Sequence, residues 1–231
     1  MSKVRGVKKA SVIKLLTLLN YRYSLRDLQA LLGIPYQTLW KYVSLKCMPE
    51  ERTSRRIAER IEELKLLEKL VEEAVNAARE NPYDLVRKPG FLALFTLMVS
   101  NALHDVRVGV VVPMSEYALM LATALAMELH CEVCPALKEG PPTRKGYYTT
   151  YFNECGKVVV TGIPKHCLKD KGRAVLVDVV LDSVDKVEAI LAVLRSARVD
   201  TVLAAAVVID GDVNDVLAEK GVKVFSLASR E

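Results

Sequence analysis

Side-chain amides are scarce in this chain: two Gln and six Asn among 231 residues, beside plentiful Lys, Arg, Glu and Val. That bias is typical of a thermophile protein. Histidine is scarce too. His104, His130 and His166 are scattered, and no Ser or Cys arrangement around them suggests a hydrolase. Neither a Walker motif nor a GxGxxG loop is present, so no cofactor is expected. No apolar run approaches the roughly 20 residues of a membrane span. The basic start, MSKVRGVKK, lacks a small-residue cleavage site, so a cytoplasmic location is expected and a membrane partner is not. The composition, 51% apolar and 26% charged, is that of a soluble globular chain large enough for two modest domains.

The five cysteines are too few and too dispersed for a disulfide scaffold. Cys131 and Cys134 form one CxxC, with Cys155 and Cys167 further on. A zinc site needs four converging ligands. Yet HCEVCPALK reads as a strand, whose alternation sends residues three apart to opposite faces. Buried thiols are therefore the favoured reading, no metal is expected, and a disulfide stays open for a hyperthermophile source.

Charge is unevenly placed. Residues 1–60 carry 13 Lys and Arg against 4 Asp and Glu, whereas the remaining 171 carry 20 against 24. A basic N-terminal unit on an acidic body points to a polyanionic partner. Its apolar spacing predicts a helix over 10–20 and a second over 25–32, with Ser24 as N-cap and Gly33 as terminator. A third helix follows from Pro35 to about Leu45, with Leu39, Trp40 and Val43 as its apolar positions. Two helices around Gly33-Ile34-Pro35 fit a helix-turn-helix. Its second helix would present Tyr36, Gln37, Thr38, Lys41 and Tyr42 to the major groove of double-stranded DNA. Arg52, Arg55 and Arg56 would clamp the backbone. The alternative is a small helical bundle that packs or dimerises without DNA.

Pro49 opens a long charged helix expected to run to about Glu80 and to connect two domains. The expected divisions are 1–49, 50–82 as connecting helix, and 83–231. Beyond Asn81-Pro82, strands expected at 106–112, 132–137, 157–161, 175–181, 201–209 and 222–227 alternate with helices. This specifies an α/β domain with a mostly parallel sheet. The most distinctive segment is AVLVDVVLDSVDKVEAI, residues 174–190. It reads as a strand buried on both faces, an acidic turn and a helix, and ligands bind where such a strand ends.

The segment GIPYQTLWKYVSLKCMPEERTSRRI resembles the helix-turn-helix of archaeal regulators in which this unit precedes a type I phosphoribosyltransferase-like domain. The C-terminal region is similar to that domain in three places. VGVVVP followed by LATALAMEL resembles the strand, pyrophosphate loop and helix. Lys138 stands at the family's basic position facing pyrophosphate. Residues 178–186 resemble the loop that binds phosphoribosyl pyrophosphate (PRPP). The resemblance implies a homodimer, control of purine or nucleotide metabolism, and PRPP or a nucleotide as effector, with Ser115, Lys138, Asp178, Ser183 and Lys186 around it.

The loop departs from the family pattern. Two adjacent acids should precede a Thr/Ser-Gly turn that aims backbone amides at the 5′-phosphate. Here Asp178 is followed by Val179, and Val184 replaces the glycine. Asp182 and Asp185 bring carboxylates to the phosphate position. Two unit charges 4 Å apart repel by roughly 4 kcal/mol at an effective dielectric of 20. Met114-Ser115-Glu116 adds another acid in the pyrophosphate loop. The expected reading is a noncatalytic relative serving dimerisation and sensing, with no catalytic residues. The rival reading is a divergent phosphoribosyltransferase with a nucleic-acid-binding module.

Overall fold

The computed structural model describes residues 9–138, 145–153 and 155–230. The basic start and most of the KEGPPTRKG loop lie outside the described residues. The chain divides into two compact units, 1–73 and 74–231.

The first unit is helical, with α1 (Lys9–Asn20), α2 (Leu25–Leu32), α3 (Tyr36–Val43) and α4 (Glu51–Glu63), followed by α5 (Leu66–Glu80), which runs past the division. Local chemistry sets the α2–α3 pair. Ser24 caps α2 by accepting from the Asp27 N–H, and Asp27 reaches back to the Ser24 N–H, a reciprocal capping box. Gly33 ends α2 in the left-handed region at φ 66°, and its N–H donates to the Gln29 carbonyl at 2.9 Å. Ile34 is then buried in the turn, and Pro35 sets the entry to α3. Gln29 also accepts from the Tyr36 N–H at 2.9 Å, satisfying a free donor of the first turn of α3. Val12, Leu16, Leu28, Ile34, Leu39 and Ile57 share one core.

The helix expected over 50–80 is two helices. Leu64 ends α4, and Lys65 turns left-handed at φ 50°. An unbroken helix would place Ile61 and Leu66 about 140° apart, since each residue turns 100°. The break resets the phase, and both side chains are buried in the same core.

The second unit continues with α6 (Pro82–Val86), α7 (Pro89–Ala102), β1 (Val110–Pro113), α8 (Ala118–Leu129), β2 (Glu132–Val133), β3 (Leu137–Lys138), β4 (Gly146–Phe152), β5 (Val158–Pro164), α9 (Lys165–Leu168), β6 (Arg173–Leu181), α10 (Val184–Ser196), β7 (Asp200–Asp210), α11 (Gly211–Glu219) and β8 (Lys223–Arg230). Five strands form a parallel sheet in the order β2-β1-β6-β7-β8, and three form an antiparallel sheet in the order β3-β5-β4.

The parallel sheet is covered on both faces, as the apolar run around residue 178 suggests. Val111, Val175, Val177 and Val207 face a core with Phe95, Leu121 and Leu125. Their neighbours Val110, Ala174, Leu176 and Ala206 face a second core with Ile190, Leu194 and Leu217. Alternation within single strands thus feeds two cores.

Three local readings change. The strand expected from Val106 starts only at Val110. Gly109 lies so close to the segment before β6 that a Cβ there would meet the Lys171 carbonyl oxygen at 1.9 Å. The strand expected over 132–137 is two short strands in different sheets. Pro135 lies between them and has no N–H to continue a ladder. The segment GYYTTYF, not expected as a strand, is β4, antiparallel to β5 from Gly146↔Pro164 to Phe152↔Val158.

Candidate functional site

Strand order reverses between β1 and β6, because β2 lies beyond β1 on one side and β7 and β8 lie beyond β6 on the other. Open parallel sheets bind ligands outside the carboxyl ends of the strands at such a switch. A cavity of about 1050 Å³ lies there. Its lining includes Ser115 after β1, Asp178 to Val180 in β6, Asp182, Ser183 and Lys186 at the start of α10, and Ser229 and Arg230 in β8. Tyr117, Tyr151, Asn153 and Arg79 complete much of the wall.

Asp178 is the centre of a closed polar cluster. It is 1% exposed. One carboxylate oxygen accepts from the Val179 N–H at 2.8 Å and from the Ser115 hydroxyl, and the other accepts from Lys186 Nζ at 3.2 Å. Burial pushes the Asp178 carboxyl above the ordinary carboxylate range, against the opposing pull of Lys186, Ser115 and the Val179 amide. Lys186, in the first turn of α10, therefore reaches back to Asp178 in β6 as its counter-charge. Both groups are occupied with each other and not presented free to a ligand.

Ser115 also accepts from the Ala118 N–H at 3.2 Å, which holds the first turn of α8. Ser183 caps α10, accepting from the Lys186 N–H at 3.3 Å. Val184 is the first helical residue and is not in the left-handed region. The helix thus starts directly after Ser183, without the glycine turn that wraps amides around a phosphate. Asp182 is exposed and lines the cavity, whereas Asp185 is exposed in the first turn of α10. Lys138 is placed in β3 opposite Thr161, and its side chain lies outside the described part of the structure.

The sequence reading missed the cavity's other cations. Arg79 and Arg230 are exposed and, among the described residues, form no ion pair. With Lys186 committed to Asp178, these two guanidinium groups and the Asp182 carboxylate are the remaining lining charges. Guanidinium groups suit phosphate or carboxylate oxygens. Tyr151 could have been found from the aromatic and β-branched composition of GYYTTYF, which favours a strand.

In the helical unit, Tyr36, Gln37 and Lys41 are exposed on α3, and Arg52, Arg55 and Arg56 are exposed on α4. Thr38 is half-buried. Arg55 pairs with Glu51 at 3.6 Å across two highly exposed side chains, so the pair is easily exchanged for another anion. Two positions exchange roles relative to expectation. Tyr42, expected at the groove, is buried in the core, and burial pushes its phenol pKa upward. Trp40, expected in the core, is 41% exposed and lies under Lys46 Nζ, 4.2 Å from the ring centroid. Leu39 and Tyr42 are three residues apart and share a helix face, while Trp40 falls about 100° from Leu39.

Cys131 and Cys134 do fall on opposite faces, one beside each core of the parallel sheet. Among the described residues no three His, Cys, Asp or Glu side chains converge as a metal site. None of the described helices is long and apolar enough to cross a membrane.

No family model matches the chain, and no curated protein does. Solved structures do. The adenine phosphoribosyltransferase of Thermoanaerobacter pseudethanolicus is similar at 19% identity and a TM-score of 0.56, over 64% of this chain and 86% of that one. The chain has a phosphoribosyltransferase-like fold. The Giardia lamblia enzyme, solved with 9-deazaadenine, gives 19% identity and a TM-score of 0.57 over 64% and 84%. That of Saccharomyces cerevisiae gives 19% and 0.52 over 61% and 81%. At these identities the likeness is one of fold.

Proposed function

We propose that the chain is a homodimeric, DNA-binding transcription regulator of purine or nucleotide metabolism, acting in the cytoplasm, with a noncatalytic phosphoribosyltransferase-like unit. The observation that carries this reading is the α2–turn–α3 pair with an exposed polar face of Tyr36, Gln37 and Lys41, next in sequence to three exposed arginines. Such a pair acts as a helix-turn-helix: α3 reads base edges, and Arg52, Arg55 and Arg56 neutralise phosphates. Trp40 joins the reading face in place of Tyr42. Dimerisation sets two such helices about one DNA turn apart.

The noncatalytic reading rests on Asp178, whose carboxylate is spent on Lys186, Ser115 and the Val179 amide. It rests also on the missing glycine turn at Val184. The effector is a phosphorylated anion, PRPP or a nucleotide, held by Arg79 and Arg230 together with the amides at the start of α10. Its binding biases the two DNA-reading helices by favouring one dimer geometry. Calorimetric titration of the full chain with PRPP and with AMP tests this. Binding that Arg230→Ala weakens at least tenfold supports it, and the absence of binding removes the sensing role.

One observation favours the rival enzyme reading: a large cavity at the switch point of a fold shared with adenine phosphoribosyltransferases. Incubation with PRPP and each nucleobase decides between them. Nucleotide formation that Asp178→Ala abolishes would establish the enzyme, whereas none is expected.

A further inference from the structure

Trp40 is the one tryptophan of the chain, and it stands exposed on α3. At 100° per residue it falls about 60° from Gln37 and about 40° from Ser44, and about 160° from the buried Tyr42. It therefore shares the outward face of the helix with Gln37 and Lys41. Just beyond it the chain turns back. Leu45 is left-handed at φ 56°, its N–H donates to the Tyr42 carbonyl at 3.0 Å, and the Lys46 N–H donates to the Lys41 carbonyl at 2.8 Å. Those two bonds make a Schellman turn, closed here at a leucine in place of the usual glycine.

The turn returns Lys46 to the face of α3. Its Nζ lies 4.2 Å from the centroid of the Trp40 ring, within the range of a cation–π contact. Lys46 is exposed and, among the described residues, forms no ion pair. The ring face attracts the charge electrostatically, and the ammonium has three N–H donors to offer to oxygen acceptors. A long, flexible side chain is thus held in place with its charge unneutralised, beside the residues that face outward from α3.

We infer that Lys46 is a phosphate-contacting residue and that the Trp40 ring is its positioning group. This rests on the reading of the helical unit as a DNA-binding module. A lysine that meets a phosphate gives up rotamer freedom. The Trp40 ring restricts Lys46 before DNA arrives, so less of that loss falls on the binding step. The turn at Leu45 supplies the other constraint, since it fixes where the Lys46 side chain leaves the backbone. The expected contact is to the sugar–phosphate backbone at the edge of the groove, so it strengthens binding without reading sequence.

The test uses the full chain, a duplex carrying a footprinted genomic site, and an unrelated duplex of equal length. Lys46→Met should weaken both alike, roughly fivefold to tenfold at about 100 mM salt. On the unrelated duplex, Trp40→Ala should weaken binding roughly twofold to fivefold, and Trp40→Phe, which keeps a ring face, should restore most of it. In a Lys46→Met background Trp40→Ala should have almost no further effect there, because the ring then has no cation to place. Without DNA, the fluorescence of the unaltered chain comes from Trp40 alone among tryptophans, and Lys46→Met should make it more accessible to acrylamide. Unchanged quenching, an undiminished effect of Trp40→Ala in the Lys46→Met background, or full binding by Lys46→Met would overturn the proposal and leave the DNA-binding reading standing. If the unaltered chain binds neither duplex, that reading fails and this one falls with it.

Discussion

Replacing Lys186 with methionine should destabilise the α/β unit at neutral pH and far less in acid. The structure supplies the reason. Asp178 is almost fully buried, and Lys186 Nζ, 3.2 Å away, is its counter-charge, with a side chain 17% exposed. Breaking a buried pair by removing one partner typically costs 3–5 kcal/mol. Lys186 keeps some water contact, so the lower end, about 3 kcal/mol, applies here. For a unit of this size that corresponds to a fall in melting temperature of roughly 6–12 °C. The pH dependence has a definite sign. The Asp178 carboxyl is raised in the folded state, so the native chain holds a proton that the unfolded chain has released. Stability therefore falls as pH rises from the ordinary carboxylate pKa through the raised one. Without Lys186 the carboxyl moves further up, and the window of loss extends with it. Below about pH 3 both states are protonated and the cost of the substitution should fade. Circular dichroism melts at pH 8 and in acid measure this directly. In an Asp178→Asn background, Lys186→Met should cost less than about 1 kcal/mol, because no buried charge remains to be orphaned. An equal loss at both pH values, or an undiminished loss in the Asn background, would refute the reasoning.

Three further outcomes follow from particular contacts. Ser24→Ala removes the side-chain half of the α2 capping box, leaving the Asp27 N–H without its acceptor, and should cost the helical unit about 1 kcal/mol in denaturant titration. Gly109→Ala sets a methyl against the Lys171 carbonyl and should lower the melting temperature of the α/β unit by several degrees. Gln37→Ala should relax discrimination at one base pair by roughly 1–3 kcal/mol. Arg55→Ala, by contrast, should weaken all DNA sequences alike, and binding measured on a panel of single-base operator variants separates the two.

The legibility of the fold follows how local its causes are. Ser24, Gly33 and Pro35 act on their own neighbours, and α2 has the bounds their spacing predicts. The strand–turn–helix around Asp178 is equally plain, because a doubly buried strand leaves a continuous apolar run. What is less legible depends on distant partners. The break at Lys65 comes from the need to bury both Ile61 and Leu66 in one core. The exchange of Trp40 and Tyr42 comes from which side of α3 meets the core. At the cavity, Asp178, Ser115, Ser183 and Lys186 are brought together as their motif suggests, but as a closed cluster. Arg79 and Arg230 carry no local signature: an exposed helix and a terminal strand deliver them to the cavity. The acidic loop was readable as a departure from a phosphate cradle, while the direction of Lys186 needed the structure.

DNA binding is the central claim, and its salt dependence is the most direct measurement. Full-length protein should be titrated with DNA fragments from its own genome at salt concentrations from 50 to 200 mM, after genomic footprinting selects the bound sites. If Lys41, Arg52, Arg55 and Arg56 each neutralise one phosphate, log K should fall against log salt with a slope of roughly −3 to −4 per protomer. The triple substitution of the arginines should reduce that slope by close to 3. A flat response, or no bound fragment at any salt, would contradict the account and leave the helical unit as a protein-packing module.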